Sequence, residues 1–460
     1  MTEDTIAALA TAPGEGAISC IRMSGPEALS VCDKIFKGKH TPSTARDRSV
    51  LLGDINDGDG NAIDQVLLTI MRGPKSLTGE NIVEITCHGG YIAPGLVLRR
   101  LVEMGIRPAD PGEFTRRAFL NGKMDLAQAE AVCEVVRSSS EKAHRVALRQ
   151  LKGDLSRRLE GVENQLLDLL TLLEANIDFP DEDIEKIEMD RVESGLGQAC
   201  EDLEGLLEAH RRGQYLKDGL DMVIVGKPNV GKSSIFNRLV EKDRVIVSDQ
   251  PGTTRDVVDG LVRVNGLMLR VHDTAGIRSA GNPVEQEAVR RTREAVERAD
   301  LALVVIDSSV PLSREDREIL VEAGAGPCLV AANKTDLPAK ADIAGLDASE
   351  TGAAESTGPV KISALKGWGF DELLESMKQL AYTKTGTLNY EIIVSERHAA
   401  GLTTALESLS RARRAAGDGI SPEFIASDLR HALDCLGEIT GRQVSTQVLD
   451  EIFSRFCIGK

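Results

Sequence analysis

"LDMVIVGKPNVGKSS", residues 220–234, decides the fold class. Its first six residues are a nearly continuous apolar run, the pattern of a strand buried on both faces. The run opens directly into a loop with the spacing GxxxxGK[ST], and a helical pattern follows. Gly226 and Gly231 let the backbone curl so that its N–H groups can point at phosphate oxygens. Val230 sits between them, immediately before Gly231. Lys232 offers a point charge to the outer phosphates, Ser233 offers a hydroxyl to Mg²⁺, and Ser234 completes the first turn.

Around this stretch the pattern is that of a parallel sheet covered by helices. "LALVVIDSS" (301–309) and "PCLVAANKTD" (327–336) are further buried strands with helical segments between them. "LVRVNGLMLRVHDTAG" alternates around Asn265 and Gly266, a hairpin signature. Residues 338–358 are rich in Ala, Gly, Ser and Asp and read as an irregular loop.

The strand ends carry the rest of the chemistry. In "NKTD" (333–336), Asn333 and Lys334 precede Asp336. That carboxylate can accept from both the N1–H and the 2-amino group of guanine, a donor pair that adenine lacks. "ISAL" (362–365) places Ser363, Ala364 and Leu365 where they can close over the base. In "DTAG" (273–276), Asp273 can hold Mg²⁺ through water and the Gly276 N–H can sense a γ-phosphate. "GTTRD" (252–256) supplies Thr253 and Thr254, of which Thr254 is the better Mg²⁺ ligand. The four strings follow in the order of a Ras-like GTPase.

Two departures from that pattern matter. The residue after DTAG is Ile277, which cannot orient a water as a glutamine would. Glu285 is the candidate for that task; a solvated glutamate at a helix start is its other reading. No arginine is an evident finger, although Arg255 and Arg278 are near. A monovalent cation can supply the positive charge instead. The side-chain carbonyl of Asn229 and oxygens of the 248–253 loop would form its cage.

The flanking segments differ in kind. Residues 1–120 alternate short apolar runs with Gly and Pro, as in "VLLTIMRG" (66–73) and "NIVEITCHGG" (81–90), and read as a small α+β domain. Leu151, Leu155, Leu159, Val162, Leu166, Leu169 and Leu173 recur at helical spacing. The charged "DFPDEDIEK" (178–186) breaks that run, and 192–212 forms a second amphipathic stretch. Helical patterns return after about 384. The expected architecture is therefore multidomain: an α+β domain at 1–120, an all-helical domain from 121–217 and 384–460, and an inserted α/β domain at 218–383.

Composition sets limits. A chain of 460 residues with 42% hydrophobic and 28% charged content is that of a soluble multidomain protein. Its amino terminus is acidic and lacks a basic signal region, so a cytoplasmic location is expected, with no membrane segment. Net charge of −17 disfavours nucleic-acid binding driven by bulk charge, so RNA would need a local basic patch. Arg411, Arg413 and Arg414 form the densest basic run, and it reads as a solvated helix face. The eight cysteines are scattered with no CxxC pair, which argues against a disulfide framework or structural zinc.

The terminal "FCIGK" admits several readings. Lipidation fails, because Cys457 is followed by Ile-Gly-Lys. Two readings stay open: a reactive thiol, or a core cysteine at a helix end with Phe456 and Ile458 buried beside it.

Taken together, "DTIAALATAPGEGAI", "SLTGENIVEITCHGG", "RPADPGEFTRRAFLNGKMDLAQAEAV", "GKPNVGKSS", "GTTRDV", "DTAGIR", "LGEITGRQVST" and "FCIGK" resemble the MnmE (TrmE) family of tRNA-modification GTPases along essentially the whole chain. The resemblance implies a homodimer through N-terminal folate-binding domains. It implies a tetrahydrofolate derivative, 5-formyl or 5,10-methylene, near that interface. By position, its contacts would be Arg22, Glu84, Lys123 and Lys460, and Cys457 would lie on the folate side. The resemblance also implies K⁺-stimulated GTP hydrolysis. Asn229, Ser248, Gln250 and Thr253 would surround K⁺, Ser233 and Thr254 would hold Mg²⁺, and Glu285 would be catalytic. Ser248 stands where the family often has Thr, and the hydroxyl remains. A partner using FAD and NADH, MnmG, is implied in a heterotetramer. Together the two would install aminomethyl or carboxymethylaminomethyl groups at C5 of the tRNA wobble uridine, U34. The competing reading is a regulatory or assembly switch GTPase without one-carbon chemistry.

Overall fold

Side-chain alternation builds the first sheet. The computed structural model describes residues 4–138, 141–178, 186–217, 219–242, 260–264, 267–273, 296, 299–324, 326–342, 358–385 and 394–460. Seven strands, β1 (Ile6–Leu9), β2 (Ile18–Ser24), β3 (Phe36–Gly38), β4 (Val50–Asn56), β5 (Ala62–Met71), β6 (Ile82–His88) and β7 (Arg107–Pro108), lie in the order β3-β4-β5-β6-β2-β1-β7. Inward residues such as Leu51, Val66, Leu68, Ile70, Val83, Ile85 and Ile21 are buried. They pack on α1 (Ala28–Ile35) and α2 (Ile92–Glu103). Each contributes roughly 1.5–3 kcal/mol by leaving water. The other sheet face is only partly covered. Val50, Leu52, Leu67 and Ile18 are exposed on it, and Leu52 and Leu67 are register partners. On strand β1, Ile6 and Ala8 pack against Phe114 of α3 (Glu113–Leu120).

Helices α4 (Leu126–Arg137), α5 (Glu141–Leu151), α6 (Asp154–Asp178) and α7 (Lys186–Lys217) follow. The spacing read from the sequence is the buried stripe of α6: Leu155, Leu159, Val162, Leu166, Leu169 and Leu173 are all buried. Gly195 of α7 lets that helix approach closely; an added Cβ would lie 2.9 Å from Leu169.

The second sheet has six strands: β8 (Leu220–Val225), β9 (Gly260–Val264), β10 (Leu267–Asp273), β11 (Leu301–Asp307), β12 (Cys328–Asn333) and β13 (Val360–Lys361). Their order is β13-β12-β11-β8-β10-β9, parallel except for β9. Continuous apolar sequence is explained by helices on both faces. Ile224, Leu303 and Val305 pack with α8 (Lys232–Lys242) and α10 (Phe370–Thr385) on one side. Val225, Val304 and Val330 pack with α9 (Arg314–Ala323) on the other. The β9/β10 pair is antiparallel as the hairpin signature requires, while the Asn265-Gly266 turn lies outside the described residues. So do most of the 338–358 loop and residues 179–185 of the charged break.

The chain then forms α11 (Glu396–Gly417), α12 (Pro422–Thr440) and α13 (Thr446–Ser454). Ser395 caps α11 in a box with His398. The chain divides into two units. One comprises Met1–Arg137, Ala147–Leu206 and Ser395–Lys460, and the other Ser138–Val146 and Leu207–Val394. N-terminal α+β segment, helices and P-loop α/β sheet are thus all present.

Candidate functional site

The phosphate loop is shaped by backbone conformations that side chains resist. Gly226 has φ +148° and Gly231 φ +102°. A Cβ at Gly226 would lie 2.4 Å from the Val305 carbonyl, and one at Gly231 would lie 2.2 Å from Asn333 Nδ2. Asn229 is left-handed at φ 65° and exposed, a conformation that costs a non-glycine residue energy and marks a constrained loop. Lys232 opens α8, and its Nζ donates to the carbonyls of Gly226 at 2.7 Å and Lys227 at 2.8 Å. Ser233 and Ser234 are exposed in the first turn of that helix. The turn's N–H groups and dipole favour an anion there.

The 333–336 and 362–365 segments are braced from β12. Asn333 is buried; its Nδ2 donates to Val230 O at 2.8 Å, and its Oδ1 accepts from Ala364 N at 2.9 Å. One amide therefore ties the 226–231 loop to the 362–365 segment. Lys334, at φ 66°, donates to Asp307 at 2.6 Å. Burial pulls the Asp307 carboxyl upward, but Lys334 and Ser309 outweigh it and hold the group below its ordinary value. Ser363 Oγ donates to Asp336 Oδ1 at 2.7 Å and fixes the carboxylate. Arg238 of α8 donates to the carbonyls of Ala364 and Leu365 at 2.5 and 2.9 Å. Leu365 itself is 74% exposed beside this brace.

Asp273 ends β10 in register with Ile224, just before the loop. Ser248, Gln250, Thr253, Thr254, Gly276 and Glu285 lie outside the described residues, as do Arg255, Ile277 and Arg278. Sequence reasoning missed Arg238, Asp307 and the Asn333–Val230 bond. Only the last had a signal, the asparagine at a strand end.

A second cluster occupies the partly covered face of the first sheet. Arg22 and Glu84 are cross-strand partners, and Arg22 places Nε 2.9 Å and Nη2 2.8 Å from Glu84 Oε1. The guanidinium stands 5.7 Å from the Phe114 ring centre, and Nη1 donates to Gly459 O at 3.2 Å. The chain end is thereby held: Phe114 N donates to Lys460 O at 3.2 Å. Gly459 is left-handed at φ 91°, and a Cβ there would lie 2.5 Å from Leu9 O. The structure thus brings Arg22, Glu84 and the end of the chain at Lys460 together. Lys123 packs over Gly79 in the 76–81 loop, its Cδ 3.6 Å from where a Gly79 Cβ would stand. That loop's Glu80 bonds Ser24 Oγ at 2.7 Å and Arg117 at 3.3 Å.

Cys457 lies beyond the end of α13 and is exposed. Phe456 is buried, but Ile458 is 60% exposed, which removes the reading of a buried helix end. The next residues turn back toward the sheet, so Cys457 rides the outside of that turn. Cys457, Lys460, Cys133, Val136, Arg137 and Phe456 line one small cleft. Arg137 also donates to Arg455 O at 2.7 Å. Burial pushes the Cys133 thiol up to about 11, with a further push from Cys457. Five other cysteines are buried, as expected of small hydrophobes.

The family description "MnmE helical domain" matches residues 126–457, and "GTP-binding protein TrmE N-terminus" matches residues 5–123. A protein of Natranaerobius thermophilus named tRNA modification GTPase MnmE is 42% identical over 462 residues, covering 100% of both chains. The chain belongs to the MnmE (TrmE) family. A relative of the same name from Heliobacterium modesticaldum is also 42% identical, over 471 residues and 100% of both chains. Among solved structures, the FeoB G-domain of Methanococcus jannaschii is 25% identical, with a TM-score of 0.25, and covers 35% of this chain and 97% of its own. Among the described residues, no helix is long and apolar enough to cross a membrane.

Proposed function

We propose that the chain is the GTP-hydrolysing half of a complex that modifies C5 of the wobble uridine of certain tRNAs. The observation that carries this reading is the Arg22–Glu84 pair closed by the carboxy-terminal Gly459. A switch that only binds and hydrolyses GTP has no use for such a clamp beside an exposed cysteine.

For GTP, the 226–231 loop and the first turn of α8 receive the phosphates, with Lys232 against the outer ones. Asp336, held by Ser363, reads guanine. The fit is chemical: backbone donors, an ammonium and a fixed carboxylate face the three parts of the nucleotide. Hydrolysis forms a bond from water oxygen to the γ-phosphorus and breaks the bond to the β–γ bridging oxygen. Glu285 orients the water and accepts its proton. Ser233, Thr254 and Asp273 would hold Mg²⁺. The exposed, left-handed Asn229 offers a hard oxygen for K⁺, with Ser248, Gln250 and Thr253. When bound, these cations supply the positive charge that stabilises charge developing on the phosphate oxygens.

The folate derivative would lie on the sheet face. Both Arg22 contacts fall on Glu84 Oε1, so the carboxylate's second oxygen is the one suited to a pterin's N–H groups. Lys460 and Lys123 suit a glutamate tail. When bound, the tetrahydrofolate supplies the one-carbon unit. Cys457 stands at the chain end beside it. Residues 1–120 would form the folate and dimer part, 121–217 with 384–460 the helical part, and 218–383 the GTP part. The exposed Leu52–Leu67 pair with Val50 and Ile18 supports dimerisation through the sheet. A MnmG-type protein that uses FAD and NADH would complete a cytoplasmic heterotetramer.

The test is reconstitution with a MnmG-type partner, NADH, GTP, methylene-tetrahydrofolate and tRNA, read by nucleoside mass spectrometry in matched KCl and NaCl. Wobble-uridine modification is expected, faster in KCl. Cys457→Ser abolishes it and spares GTP hydrolysis. GTP hydrolysis without modification or folate binding would leave the switch-GTPase reading.

A further inference from the structure

Lys227 is the second residue of the phosphate loop, and its side chain is committed to a distant helix. Its Nζ lies 2.7 Å from Asp316 Oδ2 and donates to Ser313 Oγ at 2.9 Å. Asp316 is 4% exposed and Lys227 19%. The same Asp316 oxygen accepts from Ser313 N and Ser313 Oγ, each at 2.8 Å, so it belongs to the capping box of α9. An ammonium at a helix N-terminus opposes the helix dipole. Here the buried carboxylate overrides that preference, and removing either partner would strand a buried charge.

The main chain of Lys227 has a separate duty. Its carbonyl accepts from Lys232 Nζ at 2.8 Å, beside the Gly226 carbonyl at 2.7 Å. The residue whose side chain is tethered to α9 is therefore the one whose backbone holds the phosphate-facing lysine.

We propose that Lys227 is a positioning residue for GTP binding: its ion pair with Asp316 anchors the loop to α9 and so places Lys232. This rests on the reading of residues 226–234 as the GTP phosphate site. The tether acts on the loop before nucleotide arrives. It affects GDP and GTP alike, because the loop receives the phosphates common to both.

The test uses the full chain with Lys227→Met, Asp316→Asn, the double variant and Lys227→Arg. Asp316→Asn keeps a capping oxygen for Ser313 while removing the charge. Dissociation constants for fluorescent GDP and a non-hydrolysable GTP analogue are measured, with kcat and KM for GTP. Each single loss is expected to weaken both nucleotides by about tenfold and by the same factor. The double variant is no weaker than either single one, because both break the same bond. KM rises about as far, kcat falls by less than threefold, and Lys227→Arg recovers most of the affinity. A merely structural role would lower the melting temperature and the active fraction but leave the dissociation constants in place, and that result overturns the proposal. Additive losses, or Asp316→Asn binding as the wild type does, overturn it too, since Lys227 would then act directly on phosphate. If Lys227→Met does not fold, Asp316→Asn and Lys227→Arg carry the same comparison. A wild-type chain that binds neither nucleotide refutes the GTP reading itself.

Discussion

Asn333 donates from its side-chain amide to the Val230 carbonyl at 2.8 Å, across 103 residues of sequence. The other end of the amide accepts from Ala364 N, so phosphate loop and base loop share one buried hinge point. Asn333→Ala leaves a buried donor and a buried acceptor unpaired. Each costs roughly 1–3 kcal/mol. Thermal unfolding should fall accordingly, and nucleotide titration should show GTP binding weakened at least tenfold. Unchanged GTP affinity would refute the brace.

In the proposed function Asp336 selects guanine. Its carboxylate is held by Ser363 Oγ at 2.7 Å, ready to accept two hydrogen bonds from guanine. Asp336→Asn replaces one acceptor by a donor and removes the charge. GTP affinity should fall by about a hundredfold, the worth of one charge-assisted pair. Xanthosine triphosphate offers an N1–H donor and a 2-oxo acceptor, and it should become the better ligand. Competition binding of the two nucleotides reads this directly.

The chain end is locked by Gly459, which is left-handed and packed against Leu9 O. Gly459→Ala should displace the tail and release the Arg22 contact. Alkylation of Cys457 should then change rate, and folate binding should weaken. GTP hydrolysis should continue, because residues 207–394 form their own unit. A variant with wild-type folate affinity would separate the tail from the site.

Acid stability should depend on Glu130. Burial alone would raise its carboxyl, but His398, 2.5 Å away, and Arg397 outweigh that and lower it to about 2 from 4.5. A depressed pKa means the stabilisation is complete above the unfolded value of 4.5 and is lost as pH falls from there toward about 2. It amounts to on the order of 3 kcal/mol at neutral pH. Glu130→Gln should lower stability at pH 7 and flatten the acid limb of the unfolding curve. A parallel acid limb in the variant would contradict the assignment.

Much of this was legible in the sequence because it is periodic or local. The α6 stripe from Leu155 to Leu173 follows helical spacing. The glycines of the phosphate loop mark its turns, and Asp336 follows its strand by a fixed offset. Periodicity carries no contact between remote segments, and only the family resemblance groups Arg22 and Glu84 with the chain end. Arg22 meets Glu84 because β2 pairs with β6, and it meets Gly459 because the chain end returns to the first sheet. Neither meeting leaves a periodic trace. Ile458 shows the same limit. Hydrophobicity suggested burial beside Cys457, whereas the turn held by Gly459 and Arg22 faces it outward. Lys227 pairs with Asp316, 89 positions on, and nothing in the loop sequence marks that partner.

The most direct test of the central claim is a calorimetric titration of the full chain with 5-formyl-tetrahydrofolate, beside Glu84→Gln. The account predicts saturable binding by the wild type and a loss of at least tenfold in the variant, with GTP binding unaffected in both. A chain that binds GTP but takes up no folate would contradict it, and the protein would then stand as a switch GTPase.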